Sequence, residues 1–160
     1  MQADGARLSP EDRQDIVDGT IRYCWALDER NWADLAQVFA EDASVEFGFA
    51  PRVDGLPGIQ AFVSNVLDAL DSSQHMVTNH QVETVDGVTR SRCYFHAQHT
   101  RKGVEGGANY VVAGIYRDVW SQSLAGWRIR SRELEILWTE GNAAVVGRGR
   151  SGSRPPTETS

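Results

Sequence analysis

Four long β-forming stretches fill the second half of the chain: His75 to Val85, Val88 to Arg101, Asn109 to Ser121 and Trp127 to Trp138. Only Asp86-Gly87, Gly103 to Gly107 and Ala125-Gly126 separate them. Connections this short join antiparallel neighbours, so the second half reads as a meander. The strands run well past the usual length of about 5 or 6 residues, and long antiparallel strands twist and coil instead of lying flat. A coiled sheet is hollow on one face. That hollow has to be covered by the rest of the chain.

The first half supplies the cover. From Ser9 to Asp28 the pattern is helical: Ser9 can cap, Pro10 suits the first turn, and Glu11 and Asp12 favour the positive end of the helix dipole. Val17, Ile21, Cys24 and Asp28 share one stripe, so a carboxylate ends an apolar line. A second short helix is expected from Asn31, with Trp32, Leu35 and Phe39 inward, followed by a strand through Ser44, Val45, Glu46 and Phe47. Pro57 opens a third helix, in which Ile59, Phe62, Val63, Val66 and Leu70 recur at helical spacing. Helices first and strands afterwards give an α+β fold: three N-terminal helices packed on a highly curved antiparallel sheet, with a pocket left between them. Residues 1–146 make one domain, and the Gly-, Ser-, Pro- and Arg-rich stretch 147–160 is expected to be a disordered tail.

Composition narrows the function. With 41% apolar and 24% charged residues the 160-residue chain is ordinary globular protein. A net charge of -6 argues against nucleic acid, which requires clustered Lys and Arg. No apolar run approaches the roughly 20 residues of a membrane span, and the first residues are polar and acidic, so a cytoplasmic location is expected. Cys24 and Cys93, without CxxC spacing, read as buried free thiols. Dinucleotide, P-loop, nucleophile-elbow and HExxH signatures are all missing from the sequence. Neither a cofactor nor a metal is expected, and any chemistry falls to isolated side chains.

Few polar residues fall where an apolar pocket would lie. Asp28 is either a solvated turn residue or, given its stripe, a buried carboxylate that needs a donor. His75 opens the first long strand, and is catalytic only if Asp28 reaches it; otherwise it is an ordinary core histidine. His80 reads as surface. His96 and His99 have opposite strand parity, so they cannot share a metal; the apolar odd positions Cys93, Phe95 and Ala97 put His99 inside and His96 outside. His99 is then a second proton donor or an oxygen-binding group. Arg128, Arg130 and Arg132 share a face that reads as solvated, unless a bulge turns one of them inward to stabilise an anion. Tyr23 is a core tyrosine or a catalytic phenol.

Three stretches, YCWALDERNWADLAQVFAEDASVEF, QHMVTNHQV and GWRIRSR, resemble in order and spacing the SnoaL-like branch of the NTF2-like superfamily, over roughly Glu11 to Trp138. That branch includes scytalone dehydratase, a bile-acid dehydratase and a lindane dehydrochlorinase. The resemblance implies a cone-shaped fold and, in members that eliminate water or HCl, an aspartate paired with a histidine on the following strand, at positions similar to Asp28 and His75. By the same resemblance His99 matches the second histidine of scytalone dehydratase, Tyr23 the tyrosine of the bile-acid enzyme, and Arg132 an arginine of the dehydrochlorinase. Leu27 and Phe47 stand where the scytalone enzyme has two water-holding tyrosines, and Gly114 falls near its asparagine, which implies a more apolar substrate.

The expected function is a cofactor-independent dehydratase acting on a small, apolar cyclic hydroxy-carbonyl compound of steroid, terpenoid or polyketide type. An isomerase or polyketide cyclase with the same dyad is the alternative. A non-catalytic ligand-binding module, or one like the small subunit of a ring-hydroxylating dioxygenase, is the rival from another class. A homo-oligomer, trimer or dimer, is expected, because Tyr94, Tyr110 or Trp120 would be exposed on the outer sheet face.

Overall fold

The computed structural model describes residues 8–147. Helix α1 spans Pro10–Asp28, and its first turn is capped by the Ser9 hydroxyl, which accepts from the Asp12 N–H at 3.0 Å. A 3₁₀ helix, Trp32–Gln37, leads into strand β1, Phe39–Glu46, and the short β2, Val53–Asp54. Helix α2 covers Leu56–Leu67. The meander follows as β3 (Ser72–Val85), β4 (Val88–Thr100), β5 (Asn109–Ser123) and β6 (Gly126–Gly141), and a 3₁₀ turn at Ala143–Val145 comes after it. The tail expected over 147–160 lies, from 148 on, outside the described residues.

One sheet holds all six strands in the order β2-β1-β6-β5-β4-β3. It is not wholly antiparallel as expected, because β1 pairs parallel to β6. Some 80 residues of helix and meander, far more than the dozen a parallel crossover needs, separate the two strands, so chain connection does not dictate their direction. The cover consists of two α-helices and a 3₁₀ helix. Ile16, Leu35, Val38, Val45, Ile59 and Ile129 meet in the core with no exposure at all.

Helix α1 is rotated from its expected stripe: Ile16, Thr20, Tyr23, Cys24 and Leu27 are buried while Ile21 is exposed. Trp120 explains the rotation. A Cβ on Gly19 would lie 2.8 Å from its ring, so the helix meets the sheet along the line through Gly19. Trp120 is therefore buried, its indole N–H donating to Ser91 Oγ at 2.8 Å, and does not lie on the outer face. Tyr110 lines the internal cavity, which leaves Tyr94 alone of the three aromatics at half exposure.

Register breaks shape the inner face. One falls between Thr78 and Gln81, where Asn79 takes φ +58°, and it turns His80 toward α1. His80 is thus half-buried with its Nε2 2.7 Å from Thr20 Oγ1, not on the surface, and burial lowers its pKa. A second lies on β6: Trp120 faces Ile129 but Val119 faces Ser131, which makes Arg130 the extra residue. Beyond it the alternation is inverted, and Arg132 points inward.

Candidate active site

Helix α1 ends in a Schellman-type turn, with Asn31 N–H bonded to the Ala26 carbonyl at 2.9 Å and Arg30 N–H to that of Leu27 at 3.2 Å. The position that usually calls for glycine holds Arg30 at φ +58°, a conformation that costs a non-glycine residue about 1 kcal/mol. What it achieves is local. The Arg30 guanidinium folds back, donating to the Leu27 carbonyl at 2.6 Å and to Ser73 Oγ at 2.8 Å.

Ser73 in turn donates its hydroxyl to Asp28 Oδ1 at 3.0 Å. His75, two residues along β3 and on the same face, donates its backbone N–H to Asp28 Oδ2 at 2.8 Å. Its ring Nδ1 lies 2.6 Å from Oδ1. The carboxylate therefore receives three donors, and the imidazole is held with its proton on Nδ1 and a lone pair on Nε2. The side chains are 6% and 15% exposed, so little water competes for these bonds. Sequence reasoning missed Ser73 and Arg30; the shared parity of Ser73 with His75 was the available signal for the first.

His75 opens into a cavity of about 470 Å³. Leu27, Phe47, Val63, Leu67, Phe95 and Leu134 form much of its wall, and Phe47 stacks on Phe62 with ring centroids 4.1 Å apart. The polar side chains that line it are His75, His99, Tyr23, Tyr110 and Tyr116.

His99 lies on the inner face, its ring perpendicular to that of His75 at 5.6 Å between centroids. Burial pushes its pKa down to about 4; a proton on His75 and the Arg30 charge act the same way, while the Tyr110 carbonyl and Asp28 oppose them. A stability slope follows. The unfolded state takes up a proton near the ordinary value of about 6.5 and the folded state only near 4, so stability is lost as pH falls through that window. Between pH 7.5 and 5 His99 should account for a loss of about 2 kcal/mol, measured as a shift in urea midpoint that His99→Gln removes.

Tyr23 is buried against Phe39 and Tyr116, edge to face at 5.7 Å from each. Burial pushes its phenol up to about 12, with Arg132 pulling the other way, so it stays protonated at neutral pH and can donate. Arg132 is fully buried in a two-point ion pair with Asp118, both contacts at 2.7 Å. Burial opposes its charge, but the Asp118 carboxylate more than offsets that and raises its pKa. The guanidinium sits 4.3 Å from the Tyr23 ring centre and 4.1 Å from that of Tyr116, and its Nη1 has no hydrogen-bond partner among the described residues. It stands behind the two tyrosines, which line the cavity, and borders a separate polar hollow of about 920 Å³ with Arg52, Arg90 and Glu133.

Among the described residues no group of three or more His, Cys, Asp or Glu could hold a metal ion. No helix among them is long and apolar enough to cross a membrane. Cys24 and Cys93 are free and buried.

A helical cover and a coiled sheet that enclose an apolar hollow, with an imidazole in its wall, define a class of small α+β pocket proteins. The SnoaL-like domain model matches residues 9–133, and the chain belongs to that family. It is 36% identical over 81 residues to Rv2910c, an uncharacterized protein of Mycobacterium tuberculosis, an alignment that takes in 50% of this chain and 54% of that protein. The chain thus spans about half the length of the curated relatives it matches. An NTF2-like superfamily protein from Salmonella enterica superposes with a TM-score of 0.70 at 17% identity, over 79% of this chain and 91% of its own. A candidate scytalone dehydratase from Novosphingobium aromaticivorans gives 0.73 at 20%, over 90% and 96%. A hexachlorocyclohexane dehydrochlorinase (LinA, type 2) gives 0.70 at 18%, over 89% and 99%. At these identities the structures establish the NTF2-like fold.

Proposed function

We propose that the protein is a dehydratase that needs no cofactor and acts on a small, largely apolar cyclic hydroxy-carbonyl compound of steroid, terpenoid or polyketide type. One observation carries this reading: an imidazole locked at Nδ1 by a mostly buried carboxylate lines a cavity that is otherwise mostly hydrocarbon, which leaves Nε2 as its free nitrogen. A lone pair so placed is an expensive thing to keep in an apolar wall unless it takes a proton.

In the proposed reaction His75 Nε2 takes the proton α to the carbonyl, and Asp28 offsets the imidazolium charge as it forms. The C–H electrons become the new double bond, and the β C–O bond breaks. The departing hydroxyl takes the proton back from His75 and leaves as water, which restores the neutral ring. Tyr23, held protonated, donates to the carbonyl oxygen as negative charge gathers there. Arg132 acts through Tyr23, as a positioning residue that fixes the phenol. Two structural relatives carry the names dehydratase and dehydrochlorinase, each denoting an elimination, which favours this reading over its rivals.

The test is a panel of cyclic β-hydroxy ketones on steroid, terpenoid and decalin skeletons, followed by mass spectrometry. A product lighter by one water is the expected outcome. A product of unchanged mass with a moved double bond would make the protein an isomerase, and binding without conversion across the panel would make it a non-catalytic carrier.

A further inference from the structure

His99 makes one hydrogen bond from its ring: Nδ1 lies 3.2 Å from the backbone carbonyl oxygen of Tyr110. A carbonyl oxygen only accepts, so Nδ1 carries the proton. The ring is also neutral, because burial disfavours a second proton. Its Nε2 is left with a bare lone pair on the cavity side, where the ring forms part of the wall. His75 reaches the same state by another route, through Asp28. Two acceptor nitrogens, on perpendicular rings 5.6 Å apart, thus share one apolar chamber.

An acceptor without a donor in such a chamber keeps the full cost of its lost hydration, and an ether or ketone oxygen placed against it adds lone-pair repulsion. A hydroxyl relieves both. We infer that His99 Nε2 is the hydroxyl-recognition point of the cavity, and that the ligand carries an alcohol or phenol O–H on the ring that presents the acidic carbon to His75, or on the ring fused to it. This deepens, and rests on, the dehydratase reading of the same cavity. The recognised hydroxyl is not the one that leaves. Accepting a hydrogen bond from a departing oxygen would increase its electron density and strengthen its hold on carbon, the opposite of what elimination requires. His99 is then a specificity residue rather than an acid, and the substrate class narrows to cyclic hydroxy-carbonyl compounds with a second, retained hydroxyl.

The probe pair is 2-naphthol and 2-methoxynaphthalene, equal in ring system and different in the one proton. Titration calorimetry on the wild type should show 2-naphthol binding at least about tenfold tighter. His99→Phe should abolish that preference while leaving 2-methoxynaphthalene within about twofold of its wild-type affinity. Equal binding of the two probes by the wild type, or a preference that survives His99→Phe, overturns the assignment. A long-range ¹H–¹⁵N spectrum of the wild type gives a check that needs no variant: the assignment requires His99 protonated on Nδ1 at pH 7, and a proton on Nε2 overturns it. None of these readouts needs turnover. Hydroxyl preference without elimination would retire the dehydratase reading and keep this one, whereas elimination without preference would do the reverse.

Discussion

Replacing His75 by Ala is expected to lower kcat by about 10²- to 10⁴-fold, the usual weight of a positioned general base, with KM nearly unchanged. Asp28→Asn should do about the same for a different reason. Asp28 Oδ1 takes the ring Nδ1–H and the Ser73 hydroxyl, while Oδ2 takes the His75 backbone N–H. An amide has one acceptor oxygen and one NH₂ group, so it cannot serve all three donors. With its oxygen on the backbone N–H, its NH₂ faces the ring; His75 then accepts at Nδ1 and moves its proton to Nε2, which removes the lone pair from the cavity. Ser73→Ala withdraws only one of three donors and should cost far less, about tenfold or below. Steady-state kinetics on the substrate found in the panel, with circular dichroism to verify folding, reads all three variants. Full activity in either His75→Ala or Asp28→Asn would sink proton abstraction by this pair.

Much of the fold was legible in the chain because its signals are local. Strand length, Gly-containing turns and the spacing of α2 each act within a few residues, and the observed meander and helices fall close to those bounds. The inner face was harder to read, because parity survives only until a bulge. On β4 the register against β5 runs unbroken from Thr89 to Thr100, and His99 lies inside, where alternation puts it. On β3 and β6 one extra residue resets the alternation, so His80 and Arg132 lie on the side opposite to a regular strand. Nothing in composition marks such a bulge in advance. The Arg30–Ser73–Asp28 chain was hidden for a related reason: it joins a helix end to a strand 43 positions away, and it depends on a left-handed backbone that arginine seldom adopts.

The inverted alternation on β6 also leads to the largest stability effect expected of a single substitution. Arg132 and Asp118 have no side-chain exposure, and each satisfies the other at two points. Removing either partner leaves a charge buried without its counter-ion, so Arg132→Leu or Asp118→Ala should each cost about 3–5 kcal/mol, measured by urea unfolding. Such a loss consumes a large share of the whole stability of a domain of this size, about 5–15 kcal/mol. The pair itself is a different matter, since desolvation cancels much of its attraction. Arg132→Met combined with Asp118→Leu should therefore recover most of the loss and fold at room temperature. That double variant separates scaffold from chemistry. It keeps the volume behind Tyr23 and Tyr116 but removes the cation 4.3 Å from the Tyr23 ring. If Arg132 fixes the phenol as proposed, kcat falls by about tenfold in a stable protein while KM stays near its wild-type value. Wild-type turnover in that variant would confine Arg132 to the scaffold.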